Sequence, residues 1–290
     1  MTVVNVKSIL ERATQEKYAV GAFNITNILQ MKAVIEAASN KKAAVIIQTS
    51  VSVAKFLTPK LLVAAYRSIA ETVFVPVCLH LDHCTDVEFC KTCADAGYTN
   101  IMIDASKEIY EINVEKTKVV TEYCHKIGNI TVEGELGTVV GVEDNISVSG
   151  NEVKLCDPDM ALDFVNSTGI DIFAPAIGTA HGLYKNEPKI DFELFNMISF
   201  TVNKDMIKTP LVIHGGTGLS VEVTKKLVEL GGSKFNVSTN LKHCLIDASN
   251  DYLCNHKNEY NPGKFDEYVY KQTIELIENW IDVLGSSGKY

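Results

Sequence analysis

Residues 75–106 read VPVCLHLDHCTDVEFCKTCADAGYTNIMIDAS, and this stretch decides the architecture. An apolar, β-branched run over 75–83 is followed by a helical pattern over 87–95, and a second apolar run covers 100–106. Asp86 stands where a helix N-cap is wanted and Gly97 where the helix should stop. A strand, a helix and a second strand in this order imply parallel strands, because the crossover must bring the chain back to the same end of the sheet.

The same unit recurs in both directions. Apolar runs lie at 18–25, 43–50, 75–83, 100–106, 130–137, 171–178, 210–216 and 234–240. Helical patterns lie between them at 27–40, 59–73, 87–95, 114–126, 158–166, 192–203 and 221–230, the last stopped by Gly231. Eight such units in 290 residues predict a closed (β/α)8 TIM barrel forming a single α/β domain over 1–290, with an open parallel sheet as the structural alternative. A leading helix over 5–17 and a trailing segment after Tyr252 flank the repeats, and no Pro-, Gly- or Ser-rich linker divides them.

Composition narrows the functions available. The chain is 46% hydrophobic and 22% charged, with a net charge of −9 and no basic run of five or more residues. Nucleic acid and anionic lipid need a concentrated positive field, so neither is expected as a partner. The N-terminus lacks the basic start and apolar stretch of a signal peptide, and no run of 18 apolar residues occurs, so a cytoplasmic protein is expected. The eight cysteines are scattered; Cys90 and Cys93 form a C-x-x-C inside a helical pattern without a second pair, and read as reduced packing residues.

In such a barrel the active site lies at the C-terminal ends of the strands. Those ends carry His80-Leu81-Asp82-His83, Glu133-Gly134-Glu135-Leu136-Gly137, Gly178-Thr179-Ala180-His181-Gly182, His214-Gly215-Gly216-Thr217-Gly218 and Asn236-Val237-Ser238-Thr239-Asn240. Four of the seven histidines fall there. Any one alone reads as a hydrogen-bonded residue of the barrel mouth. Three from three strands, His83, His181 and His214, can converge on one ion and leave a position open, as catalytic zinc requires. His80 is ambiguous between packing and support of a ligand, and His125, His243 and His256 fall in helical or tail segments. Asp82, beside His83, reads either as an acid/base near the metal or as a partner for a histidine ligand. The glycine- and hydroxyl-rich turns after the seventh and eighth runs each precede a helix, where backbone amides can meet a phosphate. Residues 138–154, with Gly141, Asp144, Asn145, Ser147, Ser149, Gly150 and Asn151, read as a long polar loop able to close over substrate.

These motifs, with Gly21-Ala22-Phe23-Asn24 before them, Met102-Ile103-Asp104-Ala105-Ser106 among them and Gly285-Ser286-Ser287-Gly288-Lys289 after them, resemble the class II fructose-bisphosphate and tagatose-bisphosphate aldolases over essentially the whole chain. The resemblance implies a catalytic zinc on His83, His181 and His214, and Asp82 as the acid/base for the C4 hydroxyl of the ketose. Glu143, on the polar loop, matches the residue that moves the C1 proton of dihydroxyacetone phosphate. Asp104 and Glu135 match carboxylates of a secondary metal position or supports of the first. Asn24, Ser50, Gly182, Gly215, Thr217, Asn236, Ser238 and Thr239 fall where the family holds substrate and its C1 phosphate. A monovalent cation, Na+ or K+, near Gly182 and Gly215 and a homodimer or homotetramer are implied as well. Cleaving C3–C4 leaves an enediolate, and zinc supplies the Lewis acid its charge needs. A class I enzyme would use a Schiff-base lysine, and none stands at the end of the sixth run.

Some positions depart from the family pattern. Thr217 replaces a serine and keeps the hydroxyl, Ser238 and Asn240 replace Asn or Asp, and Gly263 stands where Tyr-Asp-Pro-Arg would place an arginine for the distal phosphate of a neighbouring subunit's substrate. Lys257 and Lys264 are nearby, but a lysine does not reproduce a bidentate fork. The expected reaction is therefore cleavage of a fructose- or tagatose-type 1,6-bisphosphate to dihydroxyacetone phosphate and glyceraldehyde 3-phosphate. A ketose 1-phosphate with a carboxylate, sulfonate or hydroxyl at the far end is the alternative. A silent barrel supporting a partner subunit would have lost ligands that are all present, and a metal hydrolase would not need paired phosphate turns.

Overall fold

The first run of the decisive stretch forms β3 (Val77–Cys84), and its alternation sets the layering of the molecule. Leu79 and Leu81 pack outward into the core shared with the helices, while Cys78 joins the inner cluster and His80 and Asp82 reach across the lumen. A computed structural model describes residues 2–143, 146–148, 154–182, 189–204 and 209–290, with the backbone alone over 140–143 and 146–148.

Each of the eight runs supplies one barrel strand: β1 (Val20–Asn24), β2 (Val45–Ser50), β3, β4 (Asn100–Ile103), β5 (Thr131–Leu136), β8 (Ile172–Pro175), β10 (Leu211–Ile213) and β11 (Gly232–Val237). They close in the order β1-β11-β10-β8-β5-β4-β3-β2. All eight pairings are parallel, so the TIM barrel expected from the sequence is the observed fold.

Around the barrel run α1 (Val6–Glu16), α2 (Ile28–Asn40), α3 (Val51–Leu57), α4 (Pro59–Ala70), α5 (Val87–Ala96), α6 (Tyr110–Ile127), α7 (Pro158–Thr168), α8 (Phe192–Val202), α9 (Val221–Glu229), α10 (Thr239–Asn255) and α11 (Pro262–Val283). Their starts are chemically marked. Asn5, Asp86, Asp157, Asp191 and Ser220 each accept a backbone N–H as N-caps, an interaction worth about 1 kcal/mol apiece. Gly97, at φ 109°, ends α5 in the left-handed region that other residues rarely enter. Cys90 and Cys93 are fully buried on α5 among the helix–barrel core, as packing residues. Among the described residues no helix is long and apolar enough to cross a membrane.

The lumen is stratified. At the N-terminal end Val6, Ile9, Leu10 and Ala13 of α1 plug the barrel against Val20, Ala44, Ile46, Cys78, Ile172 and Val212. Above this plug the buried side chains include His80, Asn100, Glu133 and Lys234 beside Ala22 and Ala174. Asn24, Asp82, Asp104, Glu135 and Asn236 form the layer above, beneath the mouth.

Three features differ from the sequence reading. Residues 51–57, which lie between the apolar run ending at 50 and the helical pattern starting at 59, form α3, and Ser50 Oγ accepts the Val53 N–H at its start. The polar loop contains β6 (Val140–Glu143) and β7 (Ile146–Val148), an antiparallel pair whose first strand also runs parallel to β9 (Ala180–His181). That loop is thus stitched by its backbone to the strand carrying His181. The tail after Tyr252 completes α10 and then forms the 22-residue α11. Asp144, Asn145, Ser149, Gly150, Asn151 and the side chain of Glu143 lie outside the described residues.

Candidate metal centre and active site

Neighbouring residues of a strand point to opposite faces, so Asp82 and His83 cannot both face the mouth of a regular β3. The backbone resolves the conflict. The β3–β4 register shifts between Leu81 and Cys84, and His83 adopts φ 44°, in the left-handed region. His214 follows β10 directly, and Gly215 after it has φ 65°. A Cβ on Gly215 would lie 2.4 Å from the Ala180 carbonyl oxygen, so only glycine lets this turn approach β9.

Three imidazoles converge there. Ring centroids are 4.6 Å apart for His83 and His214, 5.0 Å for His83 and His181, and 6.1 Å for His181 and His214. One nitrogen from each lies within 4.8 Å of the other two, close enough to share an ion, and the donor set is the one zinc prefers. His83, Asp104 and Glu135 make a second group with the same property.

Carboxylates orient the rings from behind. His83 Nδ1 donates to Asp104 Oδ2 at 2.8 Å, and Asp104 Oδ1 accepts from the Ser106 amide and hydroxyl at 3.1 and 2.7 Å. His214 Nε2 donates to Glu133 Oε1 at 2.9 Å, and its Nδ1 lies 2.9 Å from Glu135 Oε2. Asp82 is held separately. Gln48 donates to the Asn24 side-chain oxygen at 2.8 Å, which turns the Asn24 amide to donate to Asp82 Oδ2 at 2.7 Å. Asn236 Nδ2 and His80 Nε2 lie 3.4 and 3.6 Å from the other Asp82 oxygen.

Charge explains why such a site wants a cation. Asp82, Asp104, Glu133 and Glu135 are all buried, and Lys234 is the fully buried cationic side chain among them. Burial alone would raise the Asp82 carboxyl, but the adjacent His83 and the contact with His80 hold it well below the usual range. Glu133 is also held down against burial, by Lys234 and His214. Burial disfavours charge on His83, yet Asp82 and the hydrogen bond to Asp104 push it well above an ordinary histidine. His214 is likewise raised, to about 9, because Glu133 and Glu135 outweigh its burial. His181 is lowered by burial and by its two neighbouring rings.

A pH dependence follows. In the metal-free protein His83 and His214 carry protons at neutral pH, and a metal must displace them to bind. Zinc affinity should therefore climb between pH 6 and 9, with protons released into a weak buffer at pH 7. The metal-free protein should run the other way: the stability from protonated His214 is complete below its unfolded value of roughly 6.5 and disappears as pH rises through about 9. Affinity flat with pH and no proton release would contradict both charge assignments.

One side of the mouth forms a narrow cleft lined by His181, Gly182, Gly215, Gly216, Thr217, Asn236, Ser238 and Thr239. Thr217 Oγ1, Ser238 Oγ and Asn236 Oδ1 are buried without a hydrogen-bond partner among the described residues. Ser238 precedes α10 without capping it, so the first amides of a 17-residue helix are left for a ligand. Six of the substrate-binding residues named from the sequence thus meet beside His181: Gly182, Gly215, Thr217, Asn236, Ser238 and Thr239. Asn24 and Ser50 stand outside this cleft on the side of Asp82, Asn24 bonded to it and Ser50 in register with it and bonded to Ser52 at 2.9 Å. Gly263 is exposed in the first turn of α11, capped by Asn261. His125 pairs with Asp171 at 2.8 Å on the outside, His256 stacks on Tyr252, and His243 is exposed.

Sequence reasoning missed Lys234, Gln48 and Asn100, and left Glu133 without a role. The available signal was parity: Lys234 is two residues before Asn236 on one strand and therefore shares its inward face.

Comparison with known proteins agrees with this geometry. Residues 4–289 match the family model described as fructose-bisphosphate aldolase class-II. A fructose-bisphosphate aldolase of Geobacillus stearothermophilus is 40% identical, covering 100% of this chain and 99% of the relative. One of Staphylococcus aureus is 36% identical, with the same coverage. Among solved structures, the YdjI aldolase of Escherichia coli K12 superposes with a TM-score of 0.86 at 30% identity, covering 99% of both chains. A putative fructose-1,6-bisphosphate aldolase of Coccidioides immitis gives 0.87 at 28%, covering 97% of this chain and 96% of its own. With the match spanning nearly every residue, this chain belongs to the class II fructose-bisphosphate aldolase family and is a lyase acting on a phosphorylated sugar.

Proposed function

We propose that the chain cleaves a fructose- or tagatose-type ketose 1,6-bisphosphate, reversibly, to dihydroxyacetone phosphate and glyceraldehyde 3-phosphate, with zinc on His83, His181 and His214. The observation that carries this reading is the convergence of three imidazoles beside a cleft of glycines, hydroxyls and helix amides. Zinc bound there supplies a Lewis acid that stabilises negative charge on the ketone oxygen. The cleft holds the C1 phosphate through the turn at Gly215–Thr217, the Ser238 hydroxyl and the first amides of α10, which fixes the ketone next to the histidines. Asp82 takes the proton of the C4 hydroxyl as the C3–C4 bond breaks, and that bond's electron pair withdraws toward the ketone oxygen. Glu143, on the hairpin that pairs with the His181 strand, delivers a proton to the former C3 to complete dihydroxyacetone phosphate. Asp104 and Glu135 orient the histidines or hold a secondary metal. Na+ or K+ near Gly182 and Gly215, a homodimer or homotetramer, and a cytoplasmic setting complete the proposal.

Gly263 favours a second reading, the same reaction on a ketose 1-phosphate whose far end is not a phosphate. An exposed glycine offers no side chain to any neighbouring site. The test is release of dihydroxyacetone phosphate from fructose 1,6-bisphosphate by protein stripped with chelator and then given zinc. Activity that vanishes and returns supports the bisphosphate reading. A zinc-loaded protein inert toward fructose and tagatose bisphosphates but active on other ketose 1-phosphates would replace it with the second, and inertness toward all of them defeats both.

A further inference from the structure

Lys234 is fully buried, and its Nζ crosses the barrel lumen to Glu133 Oε2 at 2.8 Å. The two strands are not neighbours: β10 and β8 stand between β11 and β5 in the barrel order. The contact is therefore not a by-product of strand pairing. The other oxygen of the same carboxylate accepts from His214 Nε2 at 2.9 Å. The ammonium also lies 3.5 Å from His80 Nε2. Taking a lysine and a glutamate fully out of water is costly, and packed apolar residues would fill a barrel floor at least as well. The pair is better explained by what it does to the histidine above it.

We infer that Lys234 is a positioning residue for the metal centre: by fixing Glu133, it locks His214 with Nε2–H turned into the floor and Nδ1 presented to His83 and His181. A carboxylate can pivot and offer either oxygen. With Oε2 committed to Lys234, Oε1 is the atom left for His214, and the direction of that hydrogen bond sets both the tautomer and the plane of the ring. Each ring nitrogen has one task, since the nitrogen that donates to Glu133 cannot also bind a metal. In this role Lys234 acts through Glu133, which it holds at 2.8 Å, and not by contact with substrate or metal. This inference rests on the metal reading proposed above.

The test begins with the wild-type protein loaded with zinc and labelled with 15N on histidine. The His214 ring is expected to be protonated at Nε2 with Nδ1 on the metal. Variants Lys234→Met, Glu133→Gln and the double variant are then compared by competition for zinc with a chromophoric chelator. Lys234→Met and Glu133→Gln should each weaken zinc binding by about 10- to 100-fold. The double variant should be no weaker than the worse single one, because both changes cut the same chain of contacts. A Lys234→Met protein that folds and holds zinc as tightly as wild type overturns the inference. So does a double variant whose loss is the product of the two single losses. Should Lys234→Met fail to fold, the double variant removes both buried charges and carries the comparison; wild-type affinity there is equally fatal. A wild-type spectrum with Nε2 of His214 on the metal overturns the inference whatever the variants do. A wild-type protein that holds no zinc defeats the metal reading, and this inference with it.

Discussion

His214→Ala is expected to lower aldol cleavage by about 10³-fold or more, and to release the metal during dialysis that wild-type protein withstands. Two losses combine. The proposed ion would keep two of its three ring ligands, and Glu133 and Glu135, which both contact His214, would face each other across the gap. Two buried carboxylates stripped of an imidazole between them repel, and the cheapest relief is to bind a proton or to move. Several kcal/mol of transition-state stabilisation come from a Lewis acid at a developing oxyanion, and each 1.36 kcal/mol is tenfold in rate. His83→Ala and His181→Ala should fall in the same range, while His125→Ala, on the outer surface, should behave as wild type. The measurements are turnover with saturating zinc and metal content after gel filtration. A His214→Ala protein that keeps a tenth of wild-type turnover would show that the three rings do not act as one centre.

The sequence made the barrel legible because each strand–helix unit repeats an apolar run followed by a helical pattern, and several units add a capping Asp or Ser or a stopping glycine. His83, His181 and His214 could be named because a (β/α)8 barrel brings strand ends together, so position in the chain predicts proximity in space. What escaped was contact that crosses the lumen. Nothing in Gly-Ser-Lys-Phe-Asn-Val at 232–237 announces that Lys234 meets Glu133, since strands three places apart share no register. The left-handed φ of His83 escaped for another reason. It is a strained conformation for a residue with a Cβ, forced by packing and by the shifted β3–β4 register, and local propensity argues against it. The helix at 51–57 carried no signal of its own length, being seven residues started by a single hydroxyl cap at Ser50.

Asp82→Asn should separate the two proton transfers of the reaction. The exchange changes one atom type and almost no volume, and the new side-chain oxygen can still accept from Asn24. The other end becomes an amide N–H facing Asn236 Nδ2 and His80 Nε2, so some adjustment within the floor is expected, without loss of the fold. Cleavage of the ketose bisphosphate should fall by about 10²- to 10⁴-fold, the range for removal of a positioned acid or base, with zinc content near wild type. In the wild type His83 and His80 hold the Asp82 carboxyl well below the ordinary range, against its burial. The amide of the variant has no acidic proton to lose, so raising the pH should not restore it. The informative measurement is exchange of the C1 protons of dihydroxyacetone phosphate with deuterated water. In the proposed mechanism that exchange would use the metal and the Glu143 carboxylate and no C4 hydroxyl, so it should continue in Asp82→Asn while cleavage collapses. Glu143→Gln should show the opposite sensitivity, losing exchange outright. Exchange and cleavage falling together in Asp82→Asn, with zinc still bound, would mean that Asp82 supports the metal centre as a whole, and the C4 proton would then need another owner among the side chains at the mouth.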